Sequence, residues 1–138
     1  MMNFNERGGS NTIVWTNGCF DVLHVGHIEL FKYAKQQGSK LYVGVDSDEK
    51  IKADKGDDRP FNKLDDRVKM LEAIRYIDKV YVFDNSKGLS NLIKQINPYI
   101  LVVGSDWKGK TIVGEEHVED VRFFNRIEGY STTEMMRR

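Results

Sequence analysis

Four short apolar runs punctuate the chain: Ile13-Val14-Trp15, Leu41-Tyr42-Val43-Gly44-Val45, Val80-Tyr81-Val82-Phe83 and Ile100-Leu101-Val102-Val103. Runs of this length predict strands, and a continuous run such as 41–45 predicts a strand covered on both faces. Asp120 to Phe124 reads as a fifth. Strands that alternate with helical segments pair in parallel through right-handed crossovers. The expected fold is therefore α/β, a doubly wound sheet of about five parallel strands flanked by helices. Ligands of such sheets sit outside the carboxyl ends of the strands, so loops 17–27, 46–62, 104–111 and 126–133 are expected to converge.

Helical spacing of Ile28, Leu30, Phe31 and Ala34 predicts a helix from His27 to Gln37, with Gly38 as its C-cap. A second is expected to start at Asn62, with Asp65 as the reciprocal capping partner and Leu64, Val68, Leu71, Ile74 and Ile77 as its apolar stripe. Leu89 to Ile96 reads as a short helix, and Ser131 with Glu134 as the capped start of a last one. Thr16-Asn17-Gly18 reads as a turn, and Asp46 to Asn62 as mostly loop, mobile until substrate orders it. Residues 1–11 are expected to form a flexible lead-in and 12–138 a single domain.

Lys plus Arg and Asp plus Glu each total 21, so the formal net charge is zero and no global field draws in a nucleic acid or an anionic membrane. A polyanion must be held by a local cluster. The single cysteine cannot close an internal disulfide, which fits a reducing compartment. Met1 to Asn11 lacks the apolar core of a signal peptide, and no apolar run reaches the roughly 18 residues of a membrane span. The expectation is a soluble cytoplasmic protein.

The most informative segment runs from Asn17 to His27, Asn-Gly-Cys-Phe-Asp-Val-Leu-His-Val-Gly-His. His24 and His27 lie three residues apart where a turn enters a helix, and Gly26 lets backbone approach closely. Both rings and the free amides of the first turn can then face one anion, which makes the segment a phosphate site. The plainer reading makes one histidine a helix cap and the other a packing residue; a place at the end of the first strand favours the site.

His24-Val25-Gly26-His27 after Gly18-Cys19-Phe20-Asp21 resembles the signature of the cytidylyltransferase-like nucleotidyltransferases, and the resemblance runs from Ile13 to Met136. It implies a Rossmann-like fold and an enzyme that joins a nucleotide to a phosphorylated metabolite and releases pyrophosphate. Lys55-Gly56-Asp57-Asp58-Arg59-Pro60 with Asn62, and Ile112-Val113-Gly114, resemble heptose 1-phosphate adenylyltransferases. Gly104-Ser105-Asp106-Trp107-Lys108-Gly109-Lys110, Ile74 to Asp78 and Arg126 to Thr133 resemble glycerol 3-phosphate cytidylyltransferases. The expected substrates are ATP with heptose 1-phosphate, or CTP with glycerol 3-phosphate or another polyol phosphate; Mg2+ accompanies the triphosphate. A nucleotide-binding module without turnover is the rival from another class.

An attacking phosphate is already ionised near neutral pH. The chemistry needs charge neutralisation and alignment rather than a side-chain nucleophile. The resemblance makes His24, His27, Lys55 and Arg126 catalytic. It puts Asn17, Gly18, Cys19, Phe20, Gly26, Arg67, Gly104, Asp106, Ser131 and Thr132 beside the nucleotide, and Asp21, Lys52, Arg59 and Trp107 beside substrate. Each has a plainer alternative: solvent-facing for Lys52 and Lys55, a surface pair with Asp65 or Asp66 for Arg67, lid packing for Trp107, loop-holding hydrogen bonds for Asp21. Cys19 reads as packing or a small neighbour of the nucleotide, since no base is arranged for it. No resident metal site is expected. The resembled enzymes form homodimers, and the apolar residues of Leu89 to Tyr99 exceed the needs of one short helix, so a homodimer is expected.

Overall fold

The computed structural model describes residues 11–125. Five strands, β1 (Ile13–Gly18), β2 (Lys40–Asp46), β3 (Lys79–Phe83), β4 (Ile100–Gly104) and β5 (Asp120–Phe124), form one parallel sheet in the order β3-β2-β1-β4-β5. Four helices connect them: α1 (Val25–Gln36), α2 (Asp48–Lys55), α3 (Leu64–Glu72) and α4 (Ser86–Ile96). The expected doubly wound α/β sheet is what the chain forms.

Strand residues alternate between two cores, as a period of two requires. Val14, Leu41, Val43, Val45, Ile100 and Val102 face one layer, with Phe31 and Ala34 of α1 and Leu71 of α3. Trp15, Phe83 and Leu101 face the other, with Leu89 and Ile93 of α4 and Ile112. Trp15 is fully buried, and a side chain on Gly44 of the neighbouring strand would run into its indole. Burying a large apolar side chain completely stabilises the fold by about 1.5–3 kcal/mol.

Several local expectations are corrected. Thr16-Asn17-Gly18 continues β1 instead of turning, because its residues pair in register with Val43-Gly44-Val45 of β2. The 46–62 stretch holds an eight-residue helix, α2. Ser47 caps it through a bond from the Lys50 amide at 3.2 Å, acidic residues occupy its first turn and lysines its last, and Ile51 is fully buried. The first helix begins at Val25 with His24 as N-cap and ends with Gln37 as C-cap. Gly38 serves close packing instead, since a Cβ there would come within 2.7 Å of the Thr12 carbonyl. At α3 the N-cap is Lys63, without a side-chain bond, and Ile74 and Ile77 lie past its end in a turn that still packs on the core. Asn62 is drawn off by a tertiary contact described below. Leu89, Ile93 and Ile100 are consumed by the core, with Leu92 and Ile96 packed against it, so α4 has no apolar surplus to signal a dimer.

Residues 1–10, Arg126, Ser131, Thr132 and the expected last helix lie outside the described residues. Among the described residues, no helix is long and apolar enough to cross a membrane.

Candidate active site

The sheet order reverses between β1 and β4, which opens a crevice at their carboxyl ends. A cavity of about 350 Å³ fills it, lined by Thr16, Asn17 and Gly18 of β1, Asp46 and Lys50, Phe83, Ser86 and Leu89, Val103 and Gly104, and Trp107, Ile112 and Val113. Loops after β1, β2 and β4 therefore converge as expected. Larger hollows, of about 490 and 390 Å³, lie at the amino ends of strands and touch none of the motif residues.

The histidines enter at the mouth of α1. His24 Nδ1 accepts from the Gly26 amide at 3.1 Å, and His27 Nδ1 accepts from the His24 amide at 3.1 Å, a reciprocal capping box made of two imidazoles. The ring centroids lie 3.9 Å apart. A nitrogen that accepts cannot carry the proton of a neutral ring, so both imidazoles hold theirs on Nε2. Both rings thus act as helix caps through Nδ1, and each carries its one N–H on Nε2.

Phe20 supports this pair from below. It takes a left-handed backbone, φ 47°, and its buried ring meets His27 and Phe31 edge-on at 5.6 and 5.2 Å. Such backbone strain costs about 1–3 kcal/mol and persists only where the surroundings enforce it.

Asp21 is enforced most heavily. Its carboxylate accepts from the Asn62 and Phe61 amides at 2.8 Å each and from Arg59 Nε at 2.9 Å, while its carbonyl accepts from the Asn62 side chain at 2.5 Å. Burial pushes this carboxyl up, but the two amides and the Arg59 guanidinium outweigh it and hold it below the usual carboxylate range. Of its two readings, the loop-holding bonds are the ones formed. Arg59 also lies over the Phe61 ring at 4.7 Å, and its Nη2 is buried without a partner among the described residues.

Arg67 is 1% exposed, so it is no surface residue paired with Asp65 or Asp66. It donates to the carbonyls of Asn62 (2.9 Å), Cys19 (3.0 Å) and Asp46 (2.7 Å) and to Asp48 Oδ1 (2.6 Å). It ties β1, β2 and the α2–α3 connection together beneath the site. Lys55, in the last turn of α2, reaches Cys19 Sγ at 3.2 Å and so stands beside the loop that carries the histidines. Lys52 is exposed on the same helix. Gly104 faces the cavity, and the Asp106 carboxylate folds so closely over it that a Cβ would sit 2.7 Å from Oδ1. Trp107, 47% exposed, stands at the rim with Lys110 over its ring at 5.9 Å.

Sequence reasoning missed Asp46, Lys50, Phe83 and Ser86 on the cavity wall. The strand-end rule could have found Asp46 and Ser86, which stand at and just past the carboxyl ends of β2 and β3. Among the described residues no cluster of three or more His, Cys, Asp or Glu is arranged to hold a metal ion.

Residues 15–138 match the Cytidylyltransferase-like family. The chain belongs to that family. Among curated relatives it is 47% identical over 131 residues to the bifunctional protein HldE of Campylobacter fetus subsp. fetus, covering 95% of this chain and 28% of that protein. With the HldE proteins of Campylobacter concisus and Nitratiruptor sp. it shares 44% and 45% identity over 96% and 97% of its length, again 28% of theirs. The chain thus spans little more than a quarter of these relatives. A lipopolysaccharide core biosynthesis protein from Thermoplasma volcanium has the same fold, with a TM-score of 0.69 at 22% identity over 85% of this chain and 98% of that one.

Proposed function

We propose that the chain transfers a nucleoside monophosphate from a nucleoside triphosphate to a sugar or polyol phosphate, with release of pyrophosphate. The observation that carries this reading is the histidine pair: two imidazoles that cap α1 reciprocally through their Nδ1 atoms, at the helix start that directly follows β1, the strand at the sheet's switch point. An acceptor phosphate oxygen forms the new bond to the α-phosphorus, and the bond from that phosphorus to the bridging oxygen of the β-phosphate breaks. Pyrophosphate leaves with the electron pair. His24 and His27 donate to oxygens whose charge grows during the transfer, the α1 amides add donors, and Lys55 supplies a positive charge from α2. Mg2+ enters as part of the triphosphate substrate. Arg126, Ser131 and Thr132 are assigned to the nucleotide phosphates on the family resemblance.

ATP with heptose 1-phosphate is the preferred pair, supported by the Lys55 to Asn62 segment beside the histidine loop and by Ile112 and Val113 at the cavity. CTP with glycerol 3-phosphate is the second reading, favoured by Asp106 and Trp107. A homodimer is proposed on the resemblance alone. Pyrophosphate release from each of the four nucleoside triphosphates, with heptose 1-phosphate and with glycerol 3-phosphate, tests this function. Turnover confined to ATP and the heptose bears out the first reading, turnover with CTP and glycerol phosphate the second, and no release in any combination refutes transfer.

A further inference from the structure

One wall of the cavity has no part in the transfer step. Asp46 ends β2 with its side chain 13% exposed on that wall, and Lys50, 21% exposed, stands 3.4 Å from Asp46 Oδ2. Lys50 makes its shorter contact away from Asp46, at 2.6 Å to Asp54. Two carboxylates therefore share one ammonium, so the charged groups on this wall, Asp46 and Lys50, offer a phosphate no net positive charge. Asp46 Oδ1 accepts no hydrogen bond among the described residues. A largely buried carboxylate that lines a cavity and has an oxygen without a hydrogen bond calls for a ligand that donates hydrogen bonds and carries no negative charge at that end.

We infer that Asp46 determines acceptor specificity, its carboxylate accepting hydrogen bonds from the hydroxyls of a polyhydroxylated phosphate while Lys50 fixes its orientation. This rests on the nucleotidyl-transfer reading and deepens it. The sheet order assigns the wall to the acceptor rather than to the base. Asp46 ends β2 on one side of β1, and Gly104 ends β4 on the other, a separation of two strand spacings or roughly 10 Å. The histidines follow β1 between them, so a phosphoryl group held there has the nucleotide on the β4 side and the acceptor on the β2 side. Phe83 and Leu89 offer an apolar floor to the C–H face of a sugar ring. Burial raises the Asp46 carboxyl above the usual range despite Lys50, so the fold itself gains nothing from the charge.

The test measures KM for heptose 1-phosphate and for MgATP with the unmodified chain and with Asp46→Asn, and KM for singly deoxygenated heptose 1-phosphates with both. We expect Asp46→Asn to unfold at or above the temperature of the unmodified chain, and to raise the acceptor KM about tenfold or more with the nucleotide KM within about twofold. One deoxygenated acceptor should show the same rise with the unmodified chain and little further rise with the variant. A rise in nucleotide KM instead, or an unchanged acceptor KM, overturns the inference while leaving transfer intact. No turnover by the unmodified chain with any triphosphate overturns transfer and this inference together.

Discussion

Asp21 and Asn62, 41 residues apart, are joined at both ends of each other: the Asn62 amide donates to Asp21 Oδ1 at 2.8 Å, and the Asn62 side chain donates to the Asp21 carbonyl at 2.5 Å. With Phe61 and Arg59 on the same carboxylate, the link fastens the histidine loop to the segment between α2 and α3. The imidazoles are thus held by bonds reaching far along the chain.

Replacing Asp21 with alanine leaves the Arg59 guanidinium and two amides without their acceptor. The expected cost is about 3 kcal/mol or more, read as a fall in the urea midpoint. Asp21→Asn keeps the shape but loses the charge and should fall between. A midpoint within error of the unmodified chain would show that the link is not formed.

Stability should also depend on pH through this carboxyl. Its folded pKa lies below the unfolded one, so the folded state binds fewer protons and the stabilisation is fully present above about pH 4. It is lost as pH falls through the folded value. Asp78, bonded to Lys35 and the Leu41 amide, acts in the same direction, but its exposed pair is weakened by salt. Urea midpoints measured from pH 6 to pH 2 should therefore fall less steeply in Asp21→Asn than in the unmodified chain. An identical slope would contradict the assignment.

Arg67 cannot be replaced by lysine without loss, because only a planar fork reaches three carbonyls and a carboxylate at once. Arg67→Lys should lose about 2–3 kcal/mol in chemical unfolding. An unaltered unfolding curve would free Arg67 for a direct role with the nucleotide.

The strands were legible because a sheet covered on both faces writes itself as apolar runs, and their parallel pairing followed from the alternation with helices. Helix α2 was not legible by periodicity: Ile51 is its only buried residue, and its stability lies in Ser47, Asp48, Glu49, Lys52 and Lys55, which also compose loops. Asn62 read as a helix cap because its spacing to Asp65 fits one. Asp21 claims it through a contact that only the folded chain creates. Arg67 read as a nucleotide contact or, more plainly, a surface pair, and its bonds to three carbonyls and Asp48 are likewise made only by the folded chain. The histidines were legible as a pair, but their shared service as caps and donors needed the geometry of both Nδ1 atoms.

The transfer is expected to proceed by direct displacement, with the histidines donating through Nε2 and forming no bond to phosphorus. A triphosphate chiral at its α-phosphorus should give product of inverted configuration, read by phosphorus NMR. Retention would mean two displacements and a covalent nucleotidyl intermediate.

The central claim is that His24 serves two ends, capping α1 through Nδ1 and donating to the phosphoryl group through Nε2. His24→Asn separates them, since asparagine is a strong N-cap whose oxygen can accept from the Gly26 amide but whose side chain has no donor at the ring's far edge. The measurement is pyrophosphate release by His24→Asn at saturating triphosphate and acceptor, alongside its unfolding midpoint. The account predicts a midpoint within about 1 kcal/mol of the unmodified chain and a rate lower by about 10²-fold or more. A folded variant that retains the unmodified rate would contradict it.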